Sequence, residues 1–116
     1  MGTKYVDLQF LMNSTKNDIE QVKEFIQDVL ELNAVSIGSL NEAFEKGNFL
    51  EMKGTAHMLK SSADIFESVL YKEKLVALEQ AAKAEEKETI AKALKEINEV
   101  TVVWEEHLRE ELKKIS

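Results

Sequence analysis

Apolar residues recur at three- and four-residue steps along most of this chain. From Asp18 to Lys46, the positions Ile19, Val22, Ile26, Val29, Asn33, Ile37, Leu40 and Phe44 fall on one stripe, which predicts a long amphipathic helix. Gly38 lies inside it at a cost of roughly 1 kcal/mol against alanine, and Gly47-Asn48 marks a stop and a turn. A further helix is predicted over 49–66. There Met52, Ala56, Leu59, Ala63 and Phe66 step by four, three, four and three, while the opposite stripe of Lys53, His57, Lys60, Ser61 and Asp64 is polar throughout. His57 therefore falls mid-helix on a solvent face. A short first helix is expected from Asp7 to Met12, carrying Leu8, Leu11 and Met12. It ends in the polar cluster Asn13-Ser14-Thr15-Lys16-Asn17, which offers N-caps for the next element.

After Glu67-Ser68, the set Val69, Leu70, Leu75, Leu78, Ala81 and Ala82 predicts a fourth helix. Ile90, Leu94, Ile97, Val100, Trp104, Leu108, Leu112 and Ile115 predict a fifth. No breaker separates the two, because Lys83 to Thr89 holds neither Gly nor Pro. One helix over 69–114 would be about 70 Å long at 1.5 Å per residue, more than so small a core can cover. A tight turn is therefore expected near Glu85–Glu88. The fold class expected is all-α: an antiparallel up-and-down four-helix bundle with a short extra N-terminal helix packed at one end. No repeat, low-complexity tract or linker divides it, so residues 1–116 read as a single domain.

Composition agrees and narrows the function. The 116 residues hold no cysteine and no proline, which removes disulfide frameworks, thiolate chemistry and cysteine metal sites. Ala, Leu, Glu and Lys dominate, the residues that lose least on entering a helix. The net charge is −7, so nucleic acid and anionic membrane are poor partners. No apolar run approaches the ~20 residues a spanning helix needs. Met1-Gly2-Thr3-Lys4 lacks the regions of a signal peptide, and the expected location is the cytoplasm. The charge is uneven: residues 1–46 carry −4 and 67–116 carry −3, while 48–66 balances Lys53 and Lys60 against Glu51 and Asp64. An anionic ligand or partner meets least repulsion on the stretch that contains His57.

The segment Ala56-His57-Met58-Leu59-Lys60-Ser61-Ser62-Ala63 carries the candidate chemistry. Imidazole is the side chain best suited to act as a nucleophile near neutral pH. Lys60, three residues on, projects from the same face, where an ammonium can neutralise phosphoryl oxygens arriving at the ring. Ser61 adds a small donor without hiding the ring, and Ser61 and Ser62 let a partner approach closely. A histidine on a solvated helix face is usually no more than that, however, and a lysine beside it usually only solubilises. The residues alone leave both readings open.

The run A-H-x-L-K-S-S-A, followed by Leu75-Val-Ala-Leu78-Glu79, resembles the motif of histidine-containing phosphotransfer (HPt) domains. Their pattern is roughly A-H-x-L-K-G-S/A-A and then a helix bearing L-x-x-L-E. Helix order and length are similar over nearly the whole chain, including the Asp7-Leu-Gln-Phe-Leu11 run. The resemblance implies that His57, on the helix at about 49–66, accepts a phosphoryl group at its Nε2. It comes from a receiver-domain phosphoaspartate and passes to the aspartate of another receiver. On the same resemblance Lys60 steadies the phosphoryl oxygens, and Glu79 lies near the imidazole and orients it. The implied partners are response-regulator receiver domains and a hybrid sensor kinase, with the chain a monomeric phosphocarrier rather than an enzyme. No cofactor is implied here, and magnesium is expected only on the partner receiver. Two positions depart from the family: Ser61 and Glu67 stand where it often has glycine. The first narrows access to the ring slightly; the second bears on how the connection turns.

Other classes fit less well. A carboxylate-bridged metal site in a bundle needs two E-x-x-H pairs, but Gly54 and Trp104 stand three residues before His57 and His107, and H-E-x-x-H is absent too. No G-x-G-x-x-G or Walker sequence supports a kinase. The remaining alternative is a non-catalytic bundle that binds receivers or other partners as an adaptor. His107 reads as a boundary packing residue and Trp104 as a core anchor. Met12 and Met52 read as gap fillers, Met58 as part of an apolar docking patch, and Lys83–Lys95 as a solvated surface with i,i+4 pairs.

Overall fold

Side-chain caps fix where two of the four long helices begin. In the computed structural model, which describes residues 5–116, Asp18 accepts a hydrogen bond from the Gln21 amide at 3.2 Å and opens α2 (Ile19–Glu45). Asn48 accepts from the Glu51 amide at 3.1 Å and opens α3 (Phe49–Ile65). Each satisfies one of the amides that a helix start leaves without an internal partner. The cap of α2 is thus Asp18 itself, not a residue of the Asn13–Asn17 cluster. The chain continues with α4 (Val69–Ala84) and α5 (Lys87–Ile115), after a short α1 (Gln9–Ser14) at its start. The first helix begins two residues later than its apolar pattern suggests, because the Asp7 carboxylate accepts from the Gln9 amide at 2.9 Å and holds a turn there.

The expected break between the last two helices is present and short. Glu85 takes a left-handed conformation (φ 56°), Glu86 is extended, and α5 starts at the next residue. Two left-handed glutamates (Glu67 in the α3–α4 connection, φ 53°, and Glu85) do what glycine does at Gly47, φ 68°. Glu67 is one of the two positions that depart from the HPt pattern, and its backbone takes the conformation glycine favours.

With these turns the four long helices run up and down as an antiparallel bundle: α2 packs on α3, α3 on α4, α4 on α5, and α5 closes on α2. The molecule measures 43 × 21 × 21 Å, and its long axis equals the ~43 Å of a 29-residue α5. The core gathers Val22, Ile26, Val29 and Leu40 of α2 with Met52, Ala56, Leu59 and Ala63 of α3. Leu75 and Leu78 of α4 and Ile90, Ile97, Trp104 and Leu108 of α5 complete it, with Phe66 just past α3. Tyr71, not Val69, begins the buried stripe of α4. Tyr71, Leu75, Leu78 and Ala82 keep the four- and three-residue steps, and Val69 falls off them at 64% exposed. No ion pair forms at i,i+4 within 83–95; Lys74 of α4 instead reaches Glu96 of α5 at 3.6 Å.

Because α3 and α4 are shorter than α2 and α5, the bundle needs a cover beneath the α3–α4 connection, and residues 5–14 supply it. The Asp7 amide donates to the Phe66 carbonyl at 2.8 Å. Trp104 Nε1 donates to Ser68 Oγ at 2.6 Å, and that hydroxyl donates to the Tyr5 carbonyl. His107 stacks on the Tyr5 ring at 4.8 Å, the boundary packing role expected of it. Among the described residues, no helix is long and apolar enough to cross a membrane.

Candidate functional site around His57

The core stripe of α3 points Ala56 and Leu59 inward, so the intervening face turns His57 out. Its side chain is 71% exposed. What holds the ring comes from the next helix. On α4, Leu75, Leu78 and Ala82 are buried, and Glu79 lies at the edge of that stripe, beside α3. Its carboxylate bridges two residues: Oε2 accepts from His57 Nδ1 at 2.8 Å, and Oε1 meets the Lys60 ammonium at 2.6 Å. The Glu79 side chain is 12% exposed and Lys60 22%, against 71% for the imidazole. The ring is open to solvent while its support is not.

The Lys60 hydrogen bond pulls the Glu79 carboxyl below its ordinary value; partial burial opposes this, and the bond from His57 adds to it. Glu79 is thus a carboxylate, an acceptor only. It selects the tautomer in which Nδ1 carries the proton and leaves the lone pair on Nε2. A neutral imidazole anchored through one nitrogen, with the other free at the surface, is a nucleophile held in orientation.

Of the four residues singled out from the sequence, three meet here: His57, Lys60 and Glu79. Ser61 is exposed one helical turn beyond His57, and its hydroxyl makes no hydrogen bond among the described residues; it leaves the ring uncovered. The pattern did not reveal that Lys60 would be held by Glu79, since that pairing depends on how α3 and α4 are rotated against each other. A shallow groove beside His57 and Glu79 is lined also by Leu50, Lys53 and Gly54. Their signal was present in the spacing: Lys53 and Gly54 precede His57 by four and three residues and share its face. Leu50, 78% exposed, and Met58, 43%, add apolar surface near the ring. Among the described residues, no three His, Cys, Asp or Glu side chains gather as a metal site would need. Compared with family models, curated proteins and solved structures, the chain finds no match, so its chemistry has to come from this geometry.

Proposed function

We propose that the chain is a histidine phosphotransfer protein of the HPt kind. His57 takes a phosphoryl group from an aspartyl phosphate on one receiver domain and gives it to the aspartate of another. The observation that carries this reading is the clamp of Glu79 on Nδ1, which leaves Nε2 exposed in the middle of a helix. In the forward step the Nε2 lone pair attacks phosphorus. The bond from phosphorus to the donor's acyl oxygen breaks, and the donor aspartate departs as a carboxylate. No proton has to move. The ring, still protonated on Nδ1, becomes an imidazolium bearing the phosphoryl group, and the Glu79 carboxylate lies 2.8 Å from the nitrogen that shares this charge. The return step reverses this, and the ring leaves as the neutral imidazole it was.

On this reading the protein is a carrier, regenerated each cycle, acting as a cytoplasmic monomer between a hybrid sensor kinase and its response regulators. Magnesium belongs to the receiver's acidic cluster. The exposed Leu50, which shares the groove of His57, and the exposed Met58, next to it in the chain, suit an apolar contact with the incoming receiver. The test is transfer from a panel of phosphorylated receivers to wild type and His57→Gln in parallel, following acid-labile, base-stable phosphate. Label on wild type alone is the expected result. No label from any receiver onto folded protein turns the reading to an adaptor bundle, and label on His57→Gln moves the site to His107.

A further inference from the structure

Electrostatic bookkeeping around His57 points away from Lys60. Its ammonium sits 2.6 Å from Glu79 Oε1, with the side chain only 22% exposed. Drawing it out toward a ligand would strip a carboxylate that is 12% exposed of its closest cation. With Lys60 and Glu79 cancelling and the ring neutral, a phosphoryl group arriving at Nε2 would meet no net positive charge from these three residues. Lys53 supplies what is missing. It precedes His57 by one turn on the same face, lines one groove with His57 and Glu79, and among the described residues makes no ion pair or side-chain hydrogen bond. Its ammonium has three donors on a flexible four-carbon stem. Gly54 adds no side chain to that groove, and a Cβ built there would meet nothing within 4 Å, so the space before the ring is open.

Resting on the phosphotransfer reading above, we infer that Lys53 is the cation that meets the phosphoryl oxygens on His57, and that Lys60 is a positioning residue acting through Glu79. The two roles separate experimentally. Phosphoramidate, a small donor that needs no protein partner, is incubated with the 116-residue chain. The Nε2 lone pair forms the new P–N bond, and the old one breaks with its electrons leaving on ammonia. Phosphohistidine formation and hydrolysis are followed by phosphorus NMR, and the His57 tautomer by ring nitrogen shifts, in wild type, Lys53→Gln, Lys53→Arg and Lys60→Gln.

Lys53→Gln slows formation or shortens the lifetime by about fivefold at low salt, as one half-buried charge at close range can do. The loss shrinks at high salt, Lys53→Arg restores most of it, and the ring nitrogen shifts stay put. Lys60→Gln moves those shifts, because the Glu79 carboxylate loses its partner, and its effect persists in salt. Lys53→Gln behaving as wild type overturns the inference. So does Lys60→Gln losing phosphohistidine with the tautomer unchanged. Wild type that takes no phosphate on His57 is a separate outcome and sinks the phosphotransfer reading itself.

Discussion

Removing the side chain of Asn33 tests whether a buried polar network locks the bundle. Asn33 is 1% exposed in the middle of α2. Its Oδ1 accepts from the Tyr71 hydroxyl at 2.6 Å, and its Nδ2 donates to Thr101 Oγ1 and to Glu105 Oε2, each at 2.7 Å. One residue therefore joins α2, α4 and α5. In Asn33→Ala the Tyr71 hydroxyl, buried and left with only Thr101 at 3.4 Å, loses its best partner. Such a group costs about 1–3 kcal/mol. Thr101 loses its donor too, and a small cavity opens. Glu105 suffers less, since it is 17% exposed and keeps Arg109 at 3.3 Å. The sum is about 3 kcal/mol, a large share of the 5–15 kcal/mol typical of a domain. Urea unfolding should show the midpoint falling by about 1.5 M with its slope retained, at a slope of about 2 kcal/mol/M. Tyr71→Phe alone should cost about 1.5 kcal/mol, and the double mutant about 1 kcal/mol less than the two singles together, since the orphaned pair is then removed as a pair. An Asn33→Ala loss below about 1 kcal/mol, or strictly additive singles, would refute the network as a source of stability. Phosphotransfer by folded Asn33→Ala should be unchanged, because α3 contributes no member of the network.

Three further outcomes are expected. Burial pushes the Tyr71 hydroxyl up to about 12 from 10.0. The folded state thus keeps a proton that the unfolded chain loses above pH 10, so stability holds below pH 10 and falls between 10 and 12. That loss should approach about 3 kcal/mol over the whole range; comparing wild type with Tyr71→Phe across this range isolates it, and equal slopes would count against it. Glu79→Gln keeps an acceptor for Nδ1 but removes the charge facing the imidazolium, so phosphohistidine should hydrolyse about tenfold faster; an unchanged lifetime would remove Glu79 from the chemistry. Glu85→Gly relieves a left-handed conformation at an exposed site with no side-chain partner among the described residues, and thermal melts should show a gain of about 1 kcal/mol, or about 4 °C; a lower melting temperature would mean that glycine's entropy outweighs the relief.

Much of this protein is legible from periodicity alone, for a physical reason. A helix repeats every 3.6 residues, so one stripe of apolar residues reports both the element and the face it buries. Met52, Ala56, Leu59, Ala63 and Phe66 are buried as their spacing requires, and the same spacing turns His57 out to solvent. Even the turn at Glu85, which no residue type announces, follows from helix length against core size. The cap of α2 was readable in type but not in place, since the Asn13–Asn17 cluster offered rivals just before Asp18.

What depends on two helices at once could be read only from the tertiary structure. Asn33 looks like an interruption in an apolar stripe until Tyr71 and Thr101, 38 and 68 residues away, are seen to meet it. Glu79 could be placed near the imidazole by resemblance, but its hold on Lys60 depends on the rotation and offset of α4 against α3. Those are settled by the packing of the whole core rather than by any local pattern. The sequence by itself determined the helices, their buried faces and the exposure of a histidine. The tertiary structure decided which nitrogen of that histidine is free, and which lysine is left uncommitted beside it, because hydrogen bonds and ion pairs join side chains whose distance in space no spacing along the chain records.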